Sequence, residues 1–221
     1  MLVLPLNEEK NLYKSAPNPR TRRSRIGGFS MVELAVSLTV LLILTAIAIP
    51  SLMRSFRTYQ LNDAAGRLSD MLKFTRFEAV RRNKPINFLM QPSGTGWLVG
   101  TDLNNNNAID STEKQQLIAG FTTLLPAGGS PGPPSPGAIA TALGVSVSTL
   151  NANTLSGSSG TVTFDARGAI RVGGTVSTLV FVFYIGSPTN PEFGYRAVIQ
   201  LPSGSTQVWS APASGPWQQI S

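Results

Sequence analysis

The chain has 221 residues and a formal net charge of +7, and it contains no cysteine and no histidine. Its length allows one domain with its own hydrophobic core and an additional segment. The composition excludes catalysis by a cysteine or histidine nucleophile, histidine-based general base chemistry and the usual zinc sites.

The positive charge is concentrated at the N-terminus. Residues 1–28 carry six basic and two acidic side chains, whereas the remainder carries twelve basic and nine acidic ones. A basic segment before an apolar run is retained in the cytoplasm by the positive-inside rule. Most of the excess charge is therefore a topology signal, and overall basicity is no evidence for a nucleic-acid partner.

An apolar run from Phe29 to Ile49 follows, with Glu33 as its one charge. About 20 apolar residues cross a bilayer core as a helix, so residues 29–49 are predicted to span the membrane, with everything after Pro50 on the far side. A removable secretory signal fits less well, because its apolar region would be about 7–15 residues long and would precede the cleavage site.

Glu33 needs a partner, because a carboxylate inside an apolar membrane helix costs about 2.5–3.5 kcal/mol. No cation lies between Phe29 and Ile49. Cleavage between Gly28 and Phe29 would create an α-amino group one helical turn from Glu33, and in a bundle one subunit's Glu33 could neutralise the next subunit's amine. The alternative is an ordinary signal anchor with an isolated glutamate.

The segment Gly28-Phe29-Ser30-Met31-Val32-Glu33-Leu34 resembles the type III signal of type IV prepilins and type II secretion pseudopilins. The resemblance implies a prepilin peptidase that cuts after Gly28 and N-methylates Phe29. It also implies a single-pass protein of the bacterial inner membrane with a cytoplasmic N-terminus and a periplasmic head, later extracted into a periplasmic fibre. The implied partners are other pilin-type subunits, an inner-membrane assembly platform and membrane lipid.

An amphipathic helix is predicted over residues 50–84. Its apolar residues recur at three-, four- and seven-residue spacings, which gives one apolar face: Leu61, Ala65, Leu68, Leu72 and Ala79. Pro50 falls where pilins often carry a proline that bends the helix. The helix should stop near Asn83, because Pro85 biases Lys84 away from helical geometry.

Residues 85–221 are predicted to form a β-rich head. The predicted strands are residues 85–90, 96–102, 116–125, 161–164, 169–172, 178–184, 195–201 and 206–209. Their short spacing favours antiparallel sheets, so the fold class is α+β, a long N-terminal helix packed on an antiparallel head. The Pro/Gly/Ser-rich stretch 126–160 is predicted to be a flexible surface insertion, either without function or as a mobile contact segment for partner subunits.

The head carries a second resemblance. Residues 74–86, FTRFEAVRRNKPI with Arg76 and Glu78, are similar to the helix-end motif of the GspH/FimT family of minor pseudopilins and pilins. Arg167-Gly168 and the strand–Gly turn at Gly204 are similar to later segments of that family. The resemblance implies a structural rather than enzymatic subunit, either of a type II secretion pseudopilus or, as a FimT-like minor pilin, of a type IV pilus active in biogenesis or DNA uptake.

A possible calcium loop follows the second predicted strand. Oxygen-bearing side chains occupy positions 1, 3, 5, 9 and 12 of a twelve-residue loop, with the Ala108 carbonyl at position 7: Asp102, Asn104, Asn106, Asp110 and Glu113. Asn107 replaces the glycine usual at position 6. The alternative is an Asn-rich hairpin turn that bonds its own backbone, with no cofactor.

The sequence also contains candidate residues for two other functions, nucleic-acid or lipid binding and catalysis. A basic cluster could face nucleic acid or lipid headgroups, but a solvated helix face is expected: Arg76, Arg81, Arg82 and Lys84. DNA-binding relatives in the FimT branch carry arginine in a C-terminal turn, whereas the matching turn here is Ser203-Gly204-Ser205, so DNA binding is not expected. Five carboxylates fit no recognisable catalytic motif: Glu78, Asp102, Asp110, Glu113 and Asp165.

Overall fold

The computed structural model describes residues 28–94, 96–126, 128, 130–149, 151–155, 160–176 and 179–220. The leader predicted for residues 1–28 lies outside these residues except for Gly28. The chain divides into two compact units, Met1–Thr45 and Ala46–Ser221, and each is described by itself.

The described part of the first unit is the start of α1, which spans Met31–Arg82. Ser30 caps the helix: its Oγ accepts a hydrogen bond from the Glu33 backbone N–H at 3.1 Å, and its carbonyl accepts one from Leu34 at 3.1 Å. Every side chain from Phe29 to Thr45 is exposed. This is the one helix among the described residues that is long and apolar enough to cross a membrane.

In the second unit, α1 buries one face against the head. The buried side chains recur at helical spacing, as predicted, and end with Ala79. The helix stops at Arg82, and Asn83 adopts the left-handed conformation with φ of 51°. The Lys84 N–H then bonds to the Ala79 carbonyl at 3.2 Å. This αL cap, which asparagine tolerates well, ends the helix together with the constraint from Pro85.

Two sheets form the head. The strands of the described residues are β1 Ile86–Ser93, β2 Gly96–Asp102, β3 Gln115–Ile118, β4 Thr123–Leu124, β5 Asn151–Leu155, β6 Gly160–Phe164, β7 Ile170–Val172, β8 Thr175–Val176, β9 Leu179–Gly186, β10 Tyr195–Gln200, β11 Thr206–Ala211 and β12 Gln218–Gln219. Sheet A has the order β3-β2-β1-β6-β7-β8, and sheet B has the order β12-β11-β10-β9-β4, with β5 also on β9. Every pairing is antiparallel except that of β5 with β9. The predicted α+β fold is confirmed.

The main core lies where the buried face of α1 meets both sheets. The rings of Phe88 on β1 and Phe183 on β9 meet edge to face with centroids 5.6 Å apart, which joins sheet A to sheet B. The Thr75 and Thr101 hydroxyls bond at 2.7 Å and tie the helix to β2. The buried Arg196 guanidinium donates to the Asn62 side-chain oxygen at 2.7 Å and ties the helix to β10. Burial lowers the pKa of Arg196.

The prediction of a flexible insertion over residues 126–160 is wrong for much of its described part. Helix α2 spans Pro136–Leu143, with Ser135 as its N-cap and Gly144 as a left-handed C-cap. Ile139 is fully buried among side chains of sheet B, including Val182 and Ile199. The high glycine and proline content of the segment led to the prediction of a flexible loop. A cap serine, a proline in the first turn and a glycine after the last turn are nevertheless normal helix boundary signals.

The single strand predicted over residues 116–125 is also wrong. The segment is divided between β3 in sheet A and β4 in sheet B. Gly120, with φ of 96°, lies between them and allows the turn that redirects the chain from one sheet to the other.

Candidate assembly segment and interaction sites

The candidate assembly segment consists of Gly28, Phe29 and the first turn of α1. All of these residues are exposed, and a Cβ on Gly28 would meet no atom within 4 Å. Ser30 and Glu33 have the spacing of a capping box, and a negative charge in the first helical turn is favoured by the helix dipole. Within the described part of the chain, no ion pair involves Glu33.

Arg76 forms a site with two turns, which we call the Arg76 turn site. Its Nε donates to the Gly168 carbonyl at 3.1 Å, and its Nη2 donates to the Ser203 carbonyl at 3.3 Å. Gly168 lies between β6 and β7 of sheet A, and Gly204 lies between β10 and β11 of sheet B. The end of the helix is therefore bonded to a turn of each sheet.

Both glycines of the Arg76 turn site are required by the geometry. Gly204 has φ of 82°, and a Cβ there would lie 1.7 Å from the Gly168 carbonyl oxygen. Gly168 has φ of 78°, and its Cβ would lie 2.8 Å from the Arg76 Nε. All three segments carry the resemblance found in the sequence, which assigns the Arg167-Gly168 turn no role. In the structure, the Gly168 carbonyl of this turn accepts a hydrogen bond from the helix-end arginine.

The other members of the basic cluster are also engaged within the chain. Arg81 and Arg82 both bond to the Glu78 carboxylate, at 2.7 Å and 2.8 Å. The Lys84 Nζ donates to the Leu103 carbonyl at 2.9 Å. The hydrogen bond from Arg81 holds the pKa of Glu78 below its usual value, with further help from Arg82, although burial opposes it. Arg81 and Arg82 therefore stabilise the C-terminal end of α1. Lys84 joins the segment after the helix to Leu103, which directly follows β2.

Asp165 has a similar structural role in the turn before Gly168. Its Oδ1 accepts the N–H groups of Arg167 and Ala169 at 2.8 Å and 2.9 Å, and its Oδ2 accepts Nε of Arg171 at 3.3 Å. Burial alone would raise the pKa of Asp165, but the two backbone bonds and the Arg171 guanidinium outweigh it and leave the pKa lowered. The carboxylate therefore shapes a turn.

These lowered pKa values predict acid sensitivity of the head. A carboxylate whose pKa is lower in the folded state contributes stability above its unfolded pKa of about 4, and this stability is lost as pH falls through the folded value. We expect the unfolding free energy of the full chain in detergent to be level above about pH 5 and to fall below about pH 4. Asp165→Asn should cost about 1–2 kcal/mol at pH 7, with the difference shrinking at low pH. A constant difference at all pH values would contradict this role.

The loop from Asp102 to Glu113 bonds to itself. The fully buried Asp102 accepts the N–H groups of Asn106 and Asn107 at 3.1 Å and 2.9 Å. The Glu113 carboxylate accepts the N–H groups of Leu103 and Asp110 at 2.6 Å and 3.1 Å. Asn107 adopts a left-handed φ of 62°. The carboxylates thus organise the backbone of the turn.

Amide groups also point at Asp110, whose Oδ2 accepts from the side chains of Asn104 and Asn106 at 2.8 Å and 3.0 Å. These N–H donors lie where a cation would need oxygen ligands. The described part of the chain contains no group of three carboxylates arranged to hold a metal ion. The hydrogen bonds agree with the alternative of a self-bonded turn, and calcium binding remains a prediction from the spacing alone.

A melting experiment distinguishes the two alternatives. We expect the unfolding midpoint of the full chain in detergent to be unchanged by millimolar Ca²⁺, because the carboxylates already have backbone partners. A rise that Mg²⁺ does not produce and that Asp110→Asn abolishes would instead establish calcium binding.

The head matches a known family. The family model described as type II transport protein GspH matches residues 64–204. Two crystal structures of the type IV minor pilin FimU of Pseudomonas aeruginosa PAO1 are similar. One is 15% identical with a TM-score of 0.32, and the alignment covers 74% of this chain and 90% of the FimU chain. The other is 16% identical with a TM-score of 0.30, and the alignment covers 73% of this chain and 93% of the FimU chain. No curated protein matches the chain.

The matched residues include most of the core of the second unit and the whole Arg76 turn site. They also extend over well more than half of the chain. The protein therefore belongs to the GspH family of type II transport proteins.

Proposed function

We propose that this protein is a minor pseudopilin, a structural subunit of a periplasmic type II secretion pseudopilus that acts in protein export. One observation carries the proposal: a head of the GspH family is joined in one chain to an apolar helix that is exposed from its first turn. An exposed helix of this kind needs lipid or other helices around it. A subunit that passes from membrane to fibre meets both environments in turn.

Processing would prepare the helix for assembly. A peptidase that cuts between Gly28 and Phe29 removes the basic leader and leaves an amine one turn before Glu33. The exposed position of Gly28 supports access by such an enzyme. The Glu33 carboxylate of one subunit then pairs with the amine of the next, which offsets its cost in an apolar medium and sets the axial register.

This role of Glu33 predicts that loss of the carboxylate impairs assembly and leaves cleavage intact. Glu33→Ala should still be cut and methylated but should enter fibres at least about tenfold less than wild type, because the amine of the neighbouring subunit loses its partner. Val32→Ala, at the adjacent exposed position, serves as the matched control. The measurement is the amount of mature protein in the fibre and membrane fractions. Equal incorporation of both variants would contradict the pairing.

The secretion role is tested by the spectrum of exported proteins in the medium of a deletion strain, with complementation by wild type or Glu33→Ala. We expect secreted enzymes to disappear, to return with wild type, and to stay absent with Glu33→Ala. Unchanged export would overturn the proposal. Surface pili and DNA uptake would then be scored for a FimT-like role. The turn at Ser203 to Ser205 does not favour that role, because it carries no arginine of its own.

A further inference from the structure

Strand β3 forms one end of sheet A and runs beside α1. Two contacts between a cation and an aromatic ring hold this part of the chain to the helix. Just before β3, the Lys114 Nζ lies 4.0 Å from the centre of the Phe74 ring on α1. After β3, the Phe121 ring has the Arg57 guanidinium of α1 at 4.5 Å from its centre. Between these two contacts the helix and the strand border a groove, which we call the edge groove.

The backbone of β3 carries unpaired polar groups at this edge of the sheet. The Thr101 N–H donates to the Lys114 carbonyl at 3.0 Å, so these residues form a hydrogen-bonded pair. Such pairs alternate along an antiparallel ladder, and the N–H and C=O groups of Gln115 and Leu117 therefore point away from β2. Within the described part of the chain, these four groups have no hydrogen-bond partner. An edge of this kind can receive one more strand.

A cavity of about 140 Å³ lies in the edge groove. Its lining includes apolar side chains, Ala64 of α1 and Ile118 of β3, and the hydroxyl-bearing Thr122. Thr122 is only 4% exposed, and its side chain forms no hydrogen bond to any other described residue. A buried hydroxyl without a partner costs free energy, so a bound group that pairs with it gains stability.

The charges that line the cavity already cancel. The Arg67 Nε bonds to the Asp63 Oδ2 at 2.7 Å, and the Gln60 side-chain oxygen accepts from the Arg57 Nη1 at 3.1 Å. The side-chain amide N–H groups of Gln60, the second Asp63 oxygen and the Thr122 hydroxyl have no partner among the described residues. This mixture of donors and acceptors favours a small uncharged side chain with a hydroxyl over a carboxylate or an ammonium group.

We propose that the edge groove binds an extended strand of another polypeptide, which pairs with β3 and places a small hydroxyl side chain in the cavity. The free N–H and C=O groups of Gln115 and Leu117 need a partner with free backbone groups of its own. An α-helix has already bonded its backbone internally, whereas an extended strand has not. Main-chain hydrogen bonds supply affinity in strand addition, and pockets for alternate side chains supply selectivity. The inference goes beyond the proposed function, because strand binding does not require entry into a fibre.

The test uses the purified full chain in detergent and a fluorescent, blocked peptide of alternating threonine and valine with a lysine at each end. We expect saturable binding with a Kd below about 1 mM, measured by fluorescence anisotropy. The same peptide with methylated amide nitrogens keeps its side chains but loses its main-chain donors, and it should not bind.

Two variants separate the main-chain contribution from that of the cavity. Leu117→Pro removes an N–H that the ladder to β2 does not use, and it should weaken binding at least about tenfold. Leu117→Ala, the matched control, keeps the N–H and should weaken binding less than about threefold. Thr122→Val keeps the shape but loses the hydroxyl. It should weaken binding of the threonine peptide at least about threefold and leave binding of an alanine–valine peptide unchanged.

The inference is overturned if the threonine peptide does not bind saturably, or if its methylated form binds equally well. It is also overturned if either Leu117→Pro or Thr122→Val binds the threonine peptide at the wild-type level. Should Leu117→Pro fail to fold, the methylated peptide and Thr122→Val decide. Loss of export or of fibre incorporation tests the proposed function alone, since the peptide measurement depends on neither.

Discussion

Gly204→Ala is expected to destabilise the head by about 3–5 kcal/mol. The backbone at Gly204 has φ of 82°, which costs an L-residue about 1–2 kcal/mol. The new Cβ would also lie 1.7 Å from the Gly168 carbonyl oxygen, so one of the two turns must move. That movement would break the bonds from the Arg76 guanidinium, and hydrogen bonds to charged groups contribute about 1.5–3 kcal/mol each.

Chemical denaturation of the full chain in detergent measures the loss. Gly173→Ala is the matched control, because Gly173 has φ of 60° with no atom within 4 Å of its Cβ. The control should lose about 1–2 kcal/mol from backbone strain alone. Equal losses at both positions would show that the contact between the two turns contributes nothing.

Ile139→Asp is expected to destabilise the protein by at least about 3 kcal/mol. Ile139 on α2 is fully buried in an apolar cluster with side chains of β9, β10 and β11. An aspartate there would bury an uncompensated charge and remove the apolar contacts of the isoleucine. The change would separate α2 from the outer face of sheet B and expose that face to water.

Tryptophan fluorescence during denaturation follows this change, because Trp209 and Trp217 pack in the same cluster. Ala142→Asp, on the exposed side of α2, provides the matched control and should alter stability by no more than about 0.5 kcal/mol. If the two variants were equally stable, α2 would be a detachable segment and not part of the core.

The main elements of the fold follow from local patterns. The spacing of Leu61, Leu68 and Leu72 predicts which face of α1 is buried, and Pro85 predicts where the helix ends. Alternating and β-branched runs predict the long strands of both sheets. These predictions succeed because each depends on neighbours within a few residues.

What the sequence could not show depends on distant partners. Arg76 bonds to carbonyls 92 and 127 residues further along the chain, and no local pattern specifies a backbone acceptor so far away. Helix α2 was not predicted, because its apolar face is short and lies within a Pro/Gly-rich segment. The composition of that segment is typical of a loop and outweighed the cap signals at the two ends of the helix.

The most direct test of the account is the mass and N-terminal sequence of the mature protein isolated from its own membrane. The account predicts a chain that begins at Phe29 and carries one added methyl group on its α-amine. A chain that retains the basic residues before Gly28, or one cut after the apolar helix, would contradict it, because neither could provide the amine that Glu33 is proposed to bind.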